Sequence, residues 1–243
     1  VQYGHWLAGA VRFDFGQSFY FRESVASLVG GRIPITLKLG AIALGLALLF
    51  AIPLGALAAV KRGSWFDRAT LAFCALGQAV PTFWLGILLI IAFAVTLGWL
   101  PAGGSADHGL GLAYLILPVA TLAVAHLAAY ARHSAASLEA TLTEPWIRTA
   151  RARGATERGV LWRHAFPNAA LPILQIAALD AGALAGGALV TETVFARPGM
   201  GKLLYDAVMG NDTNLALVAL LLVALVTMLA TLGADLAQRA LDP

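Results

Sequence analysis

Long apolar blocks alternate with short polar segments along the chain. A helix needs roughly 20 apolar residues to cross the hydrocarbon core of a bilayer. Leu, Ala and Gly dominate the blocks, without the alternation of apolar and polar positions that membrane strands show. The pattern therefore predicts an all-α, polytopic membrane helical bundle, with spans at about 37–60, 69–97, 112–132, 170–194 and 215–237.

The composition supports this prediction, since 60% of the residues are hydrophobic and only 12% are charged. Soluble domains carry about a quarter charged residues, so the composition excludes a soluble protein. The net charge of +3 is mild, and we expect no nucleic-acid partner. The single cysteine, Cys74, excludes an intrachain disulfide, and no clustered ligands predict a metal site.

Lys and Arg are distributed unevenly between the loops. They concentrate in loop 61–68 and in loop 133–168, whereas loop 98–111 contains none. Cytoplasmic loops carry the excess of positive charge in membrane proteins. We therefore expect both basic loops to be cytoplasmic. Residues 1–36 then form an extracytoplasmic N-terminal segment, and residues 37–243 form the transmembrane domain.

Small residues and prolines add detail to the predicted spans. Ala51, Gly55 and Ala59 are spaced by four, which places them on one helix face where another helix can approach closely. Pro53 and Pro81 each remove a backbone hydrogen bond, so we expect a bend at each.

The basic loop 133–168 carries signals for two short helices. Thr143 is predicted to cap a helix that starts at Glu144-Pro145 and ends at Gly154. A second helix is predicted to start at Thr156 and to be interrupted at Pro167-Asn168.

The first of these helices is predicted to have one face of small and apolar residues with arginines around it. That face comprises Ile147, Ala150 and Gly154. It suits a groove on another protein, with ion pairs at the rim. An interfacial helix whose arginines bind anionic lipid headgroups fits the same spacing. The spacing alone leaves both interpretations open.

Several motifs in order along the chain resemble those of one family of transporters. The loop carries the runs Pro145-Trp146-Ile147-Arg148-Thr149-Ala150-Arg151-Ala152-Arg153-Gly154 and His164-Ala165-Phe166-Pro167-Asn168-Ala169. Elsewhere stand Val80-Pro81-Thr82-Phe83-Trp84-Leu85-Gly86, Gly98-Trp99-Leu100-Pro101, and Glu192-Thr193-Val194-Phe195 with Pro198-Gly199-Met200-Gly201. The loop resembles the EAA loop of ABC importer permeases, most closely the dipeptide, oligopeptide and nickel family. The Gly98–Pro101 turn resembles the first of that family's two permease subunits.

The chain departs from the family pattern in places. Pro145-Trp146 replaces the usual acidic-aromatic pair, and Asn211-Asp212-Thr213-Asn214 replaces a usual Arg-Asp-Tyr-Pro run. The resemblance also implies a first span before Val1, so we expect five of the family's six spans in this chain.

The resemblance implies a type I ABC importer permease fold in the inner membrane of a bacterium. Its implied partners are a second permease subunit, two cytoplasmic ATP-binding subunits, an extracytoplasmic solute-binding protein and membrane lipid. ATP and Mg²⁺ belong to the ATP-binding subunits, so we expect no cofactor and no catalytic residue in this chain. The residues implied to couple to the ATPase are Trp146, Ile147, Arg148, Thr149, Ala150, Arg151, Ala152, Arg153 and Gly154. The implied solutes are peptides or related small molecules.

Asp180 is the most unusual polar residue within the predicted spans, because a carboxylate in a membrane is costly. It fits a lining residue of the translocation path, with Gln175 nearby in sequence, and it equally fits a hydrogen bond to a neighbouring helix. His126 favours a hydrogen-bonded packing residue. Glu192 is expected to be a structural anchor near water at the outer end of its span.

Two other classes remain as alternatives. A stand-alone secondary transporter typically shows internal repeats, broken helices and several buried charges. An intramembrane enzyme needs a nucleophile with a base, or a metal site. Asp180, His126 and Cys74 are isolated from one another in sequence, which favours neither alternative.

Overall fold

A computed structural model describes residues 6, 9–104, 111–185 and 188–241, and these residues form helices joined by turns. The helices are α1 Val25–Val60, α2 Trp65–Ala79, α3 Thr82–Leu89, α4 Ala113–Leu142, α5 Pro145–Ala152, α6 Glu157–Gly159, α7 Phe166–Ala185, α8 Leu189–Val194, α9 Met200–Met209 and α10 Thr213–Leu241. Two π-helical segments, Ile90–Thr96 and Val160–Ala165, follow α3 and α6. Part of the predicted loop 98–111, including Ser105, lies outside the described residues.

Among the described residues, three helices are long and apolar enough to cross a membrane. They are Val25–Val60, Ala113–Leu142 and the stretch Thr213–Gly233 of α10. A fourth results if the helices on either side of Pro81 count as one broken span. The predicted span 170–194 corresponds to α7 and α8, with residues 186–187 between them outside the description.

Helix α1 begins at Val25, twelve residues before the first span predicted at 37–60. The sequence 25–36 contains two glycines and a proline, which disfavour a helix. Tertiary contacts override them: Val25, Leu28 and Val29 are buried in a core with residues of α9 and α10. The last twelve residues of the predicted N-terminal segment 1–36 therefore belong to α1.

The stretch predicted as the span 69–97 is interrupted, because the helix breaks between α2 and α3, and the bend expected at Pro81 is confirmed. Val80 is extended, with φ −79° and ψ 121°, as expected for a residue that precedes a proline. Beyond α3 the chain continues as the π-helical segment Ile90–Thr96.

The helices around the basic loop are longer than predicted. Helix α4 continues to Leu142, so the cytoplasmic loop predicted at 133–168 starts within this helix. The predicted interruption at Pro167-Asn168 is wrong, because the π-helical segment leads directly into α7. A π-turn pairs residues five apart, and this altered pairing lets the chain pass a residue that has no N–H to donate.

The described residues divide into two compact units. The first contains Val1–Ile42, Thr82–Thr121 and Ala181–Ala230, and the second contains Ala43–Pro81, Leu122–Asp180 and Thr231–Pro243.

In the first unit, Asp212 ties the N-terminal segment to the start of α10. Its carboxylate is fully buried and accepts hydrogen bonds from the Ser18 hydroxyl at 2.5 Å, the Tyr20 N–H at 3.0 Å and the Leu215 N–H at 3.1 Å. Burial raises the pKa of this carboxyl, but the hydrogen bonds outweigh burial and the pKa lies below its ordinary value.

In the second unit, α1 and α4 approach closely at Gly55. A Cβ at this position would lie 2.5 Å from the Ala131 carbonyl oxygen and 2.6 Å from Ser134 Cβ. Ala51 and Ala59 are buried on the same helix. The close helix contact predicted from the small residues is therefore confirmed.

Candidate functional sites

Helix α5 is delimited by residues that set its ends. Pro145 occupies the first turn, and Glu144 is the N-cap without a side-chain capping bond. The predicted cap at Thr143 is wrong, because its hydroxyl donates to the Ala140 carbonyl at 2.7 Å. That bond lies at the end of α4, and the N-cap position of α5 falls on Glu144, one residue later than predicted.

The predicted end of α5 at Gly154 is confirmed. Gly154 has φ +86°, the left-handed conformation that glycine adopts at low cost. Its N–H donates to the Arg151 carbonyl at 2.9 Å, and the Ala155 N–H donates to the Ala150 carbonyl at 3.1 Å. These two bonds form a Schellman motif.

The orientation of α5 differs from the prediction. Ile147 is fully buried in an apolar cluster of the same chain, which also contains Leu138 and Val160. The predicted contact face of Ile147, Ala150 and Gly154 therefore does not face a partner through Ile147. Ile147 is the only large aliphatic residue of this helix, and burying it anchors the helix.

The opposite side of α5 is exposed. Trp146 is 48% exposed. The other exposed positions of the helix are Pro145, Arg148, Thr149, Arg151 and Ala152, followed by Arg153 and Gly154.

An ion pair joins α5 to α6. The Arg151 guanidinium donates to the two carboxylate oxygens of Glu157 at 2.8 and 3.1 Å. The hydrogen bonds from Arg151 hold the pKa of the Glu157 carboxyl below its ordinary value. Sequence reasoning missed Glu157, although its position six residues after Arg151, across the glycine turn, was the available signal. Thr156 caps α6 as predicted, because its hydroxyl accepts the Gly159 N–H.

The cluster around Ile147 connects α5 to three long helices. Its other buried members are Ala56 and Ala59 of α1, Leu138 of α4, and Val160, Ala165 and Ala169 before and within α7. The Ser137 hydroxyl of α4 also donates to the Ala169 carbonyl of α7 at 2.9 Å. Helix α5 thus rests on the ends of these helices.

A polar cluster lies around Asp180 in the second unit. The fully buried Tyr130 of α4 donates its hydroxyl to Asp180 Oδ2 at 2.7 Å. His126, one turn earlier on α4, has Nδ1 2.7 Å from the Leu122 carbonyl, and its ring centroid is 6.0 Å from that of Tyr130. The hydrogen-bonded role predicted for His126 is confirmed. Asp180 makes the predicted bond to a neighbouring helix and still remains only half-buried.

The structure does not bring Gln175 into this cluster. Gln175 is exposed on α7, and five residues rotate a helix by about 140°. Gln175 and Asp180 therefore lie on different sides of α7.

A second buried carboxylate lies in the first unit. Glu192 is fully buried and accepts from the Thr36 hydroxyl at 2.5 Å and from the Lys202 N–H at 3.1 Å. The Thr36 oxygen in turn accepts the Met200 N–H at 2.8 Å. Glu192 is a structural anchor as predicted, but the expected position near water is wrong. Sequence reasoning missed Thr36, which offered no motif.

Among the described residues, no group of three or more His, Cys, Asp or Glu side chains could hold a metal ion.

Comparison with known families gives a match over most of the chain. Residues 51–243 match the family model described as "Binding-protein-dependent transport system inner membrane component".

Relatives of known sequence agree with the family match. The chain is 36% identical over 216 residues to a putative peptide transport system permease protein of Brucella abortus, covering 87% of this chain and 69% of that protein. It is 35% identical over 243 residues to the oligopeptide transport system permease protein of Haemophilus influenzae, covering 100% of this chain and 79% of that protein.

Solved structures show the same fold. An inward-facing structure of the MetNI methionine ABC transporter superposes with a TM-score of 0.73 at 20% identity, covering 88% of this chain and 96% of that one. An amino acid ABC transporter gives a TM-score of 0.68 at 16% identity, covering 88% of this chain and 94% of the other.

Proposed function

The chain belongs to the family of binding-protein-dependent transport system inner membrane components, and we propose that the solutes it helps to import are peptides. It is a membrane protein and a permease subunit of an ABC importer. The peptide substrate rests on relatives that are named peptide and oligopeptide permeases, which cover the whole or most of this chain. Family membership argues against the alternative of a stand-alone secondary transporter.

Helix α5 couples the permease to its ATPase through its exposed side. The observation that carries this proposal is the burial of Ile147 among residues of α1, α4 and α7 while Trp146 stays exposed. A partner that docks on Trp146, Arg148, Thr149 and Ala152 pushes on a helix that cannot move without the long helices. Closure of the ATPase then passes to the spans as a rigid-body movement.

The rest of the assembly completes an importer. Two cytoplasmic ATP-binding subunits hydrolyse ATP with Mg²⁺, so this chain is not itself an enzyme and holds no cofactor. A second permease subunit pairs with this one, and an extracytoplasmic solute-binding protein delivers the solute. The chain crosses a bacterial inner membrane several times, with loop 61–68 and the region 133–168 in the cytoplasm, since both carry the excess of Lys and Arg.

The docking side of α5 is tested by adding bulk to it. We expect Ala152→Trp to abolish import and co-purification of the ATPase, because the substitution changes the shape of an exposed contact without touching the core. The matched control is Ala72→Trp, which places the same side chain on an exposed position of α2. ATPase that co-purifies with Ala152→Trp as it does with the wild type contradicts the coupling role.

A further inference from the structure

Asp180 retains binding capacity after its interaction with Tyr130. The Tyr130 hydroxyl is held on one carboxylate oxygen, Oδ2, at 2.7 Å. No other described residue donates a hydrogen bond to Asp180, and its side chain is only half-buried. A carboxylate can accept about four hydrogen bonds, so most of its capacity remains available.

The cluster offers acceptors and has no donor to spare. The one hydroxyl proton of Tyr130 is already donated to Asp180. His126 Nδ1 lies 2.7 Å from a carbonyl oxygen, which only accepts, so the proton on Nδ1 is donated to that carbonyl. A group that binds here must therefore donate hydrogen bonds, and the carboxylate favours a positive charge.

The position of the carboxylate requires a polar neighbour on its open side. Asp180 lies near the end of α7, a helix that is otherwise composed almost entirely of apolar residues. A carboxylate that faces lipid is strongly unfavourable, and such residues face a cavity or a partner. Tyr130 satisfies one oxygen, so the open side of the carboxylate needs a polar partner that the described residues do not supply.

We propose that Asp180 is a contact for the ammonium group of a solute as it passes, and that Tyr130 is the positioning residue for this carboxylate. The inference rests on the proposed peptide substrate, because a free peptide carries an ammonium group at its N-terminus. Transport requires the contact to be weak enough for release. A single carboxylate that already shares one oxygen with a phenol meets this requirement.

The test compares peptides with free and with acetylated N-termini. The complete importer, with its ATPase and binding protein, is reconstituted in proteoliposomes and given di- to pentapeptides, each in both forms. The quantity measured is the ratio of free to acetylated peptide imported. Because each variant uses the same binding protein, the preference of that protein cancels when variants are compared.

We expect Asp180→Asn to lower this ratio by roughly tenfold, since a hydrogen bond to a charged group is lost, while import of the acetylated peptides is unchanged. Asn keeps the shape and the acceptor for Tyr130. Tyr130→Phe lowers the ratio less, because the carboxylate stays but loses its positioning. The control Asp235→Asn removes a carboxylate from α10 and leaves the ratio unchanged.

Two results overturn the inference in different ways. If the wild type imports both forms and Asp180→Asn keeps the wild-type ratio, the ammonium contact is wrong and the peptide substrate stands. If the wild type imports neither form, the peptide substrate and the ammonium contact are both wrong.

Discussion

Gly154 shows how one residue can be restricted by backbone conformation alone. Its φ is +86°, and a Cβ at this position would meet no atom within 4 Å. A side chain here costs free energy through the left-handed conformation and not through a clash. The constraint therefore acts on the end of α5 and leaves the surrounding packing unchanged.

We expect Gly154→Val to destabilise this helix end by about 1–2 kcal/mol, because a β-branched side chain disfavours the left-handed conformation. Gly154→Asn should cost less, since Asn adopts this conformation more readily. Hydrogen exchange of the α5 amides measures the difference. Equal exchange rates in both variants and the wild type would contradict a left-handed helix end at Gly154.

The ion pair between Arg151 and Glu157 makes the tie between α5 and α6 dependent on pH. The pKa of the Glu157 carboxyl is lowered in the folded protein. The contribution of this ion pair to the stability of the fold is therefore complete above the ordinary Glu pKa of about 4.3. It is lost as the pH falls through the lowered pKa of Glu157. At neutral pH the pair is intact.

Arg151→Ala should raise the pKa of Glu157 towards its ordinary value, because the hydrogen bonds from Arg151 are the main cause of the shift. The carboxyl carbon signal of labelled glutamate reports this titration in an NMR experiment. Arg158→Ala serves as the control, since Arg158 does not contribute to the shift and its removal leaves the pKa of Glu157 in place. An unchanged titration in Arg151→Ala refutes the pairing.

At the scale of elements, α5 separates anchoring from contact. Ile147 lies on the buried side and Trp146 on the exposed side, one residue apart in sequence. Neighbouring residues on a helix point about 100° apart, so the two side chains serve different surfaces. Substitutions at these positions should therefore have separable effects.

Ile147→Ala should lower the free energy of unfolding by about 2–5 kcal/mol, since it opens a cavity in a packed cluster. Trp146→Ala should leave stability unchanged and weaken association with the ATPase. Thermal unfolding and ATPase co-purification, measured on both variants, distinguish the two roles. A loss of stability in Trp146→Ala would show that the Trp146 side chain packs in the core instead.

The segment between α8 and α9 is packed too tightly for a side chain at Gly199. A Cβ there would lie 2.2 to 2.5 Å from the Glu192 carboxylate, which is held by Thr36 and Lys202. Gly199→Ala should destabilise by about 1–3 kcal/mol through overpacking. Gly30→Ala is the control, because a Cβ at Gly30 meets nothing within 4 Å. Thermal unfolding measures the stability of both variants. Equal melting temperatures would contradict the tight packing at Gly199.

Sequence patterns predicted which segments are helical. They did not predict where the helices begin and break, or which side of a helix is buried. Apolar blocks identify helices because burial and lipid exposure both select apolar residues. The start of α1 at Val25 depends on contacts with α9 and α10, which lie far along the chain. The orientation of α5 depends in the same way on its packing, since Ile147 suits a partner groove as well as its own core. The full burial of Glu192 likewise follows from Thr36, more than 150 residues away.

At the scale of the whole molecule, the charge distribution predicts which segments face each side of the membrane. Cys74 is fully buried, so cysteines introduced elsewhere can be labelled without interference. We expect an impermeant thiol reagent added from outside to label Gln17→Cys and Met209→Cys and to miss Lys61→Cys and Arg148→Cys, all of which are exposed positions. Permeabilised membranes provide the control. Labelling of Arg148→Cys from outside an intact membrane would show that the predicted topology is inverted.

The break at Pro81 has a consequence for how the protein is made. Helix α2 has 15 residues and is about 22 Å long, whereas the hydrocarbon core is about 30 Å thick. The helical residues after the break, Thr82–Thr96, form a segment of similar length. Neither half is long enough to span the bilayer by itself. Stable insertion of this region is therefore a step that two consecutive segments complete together.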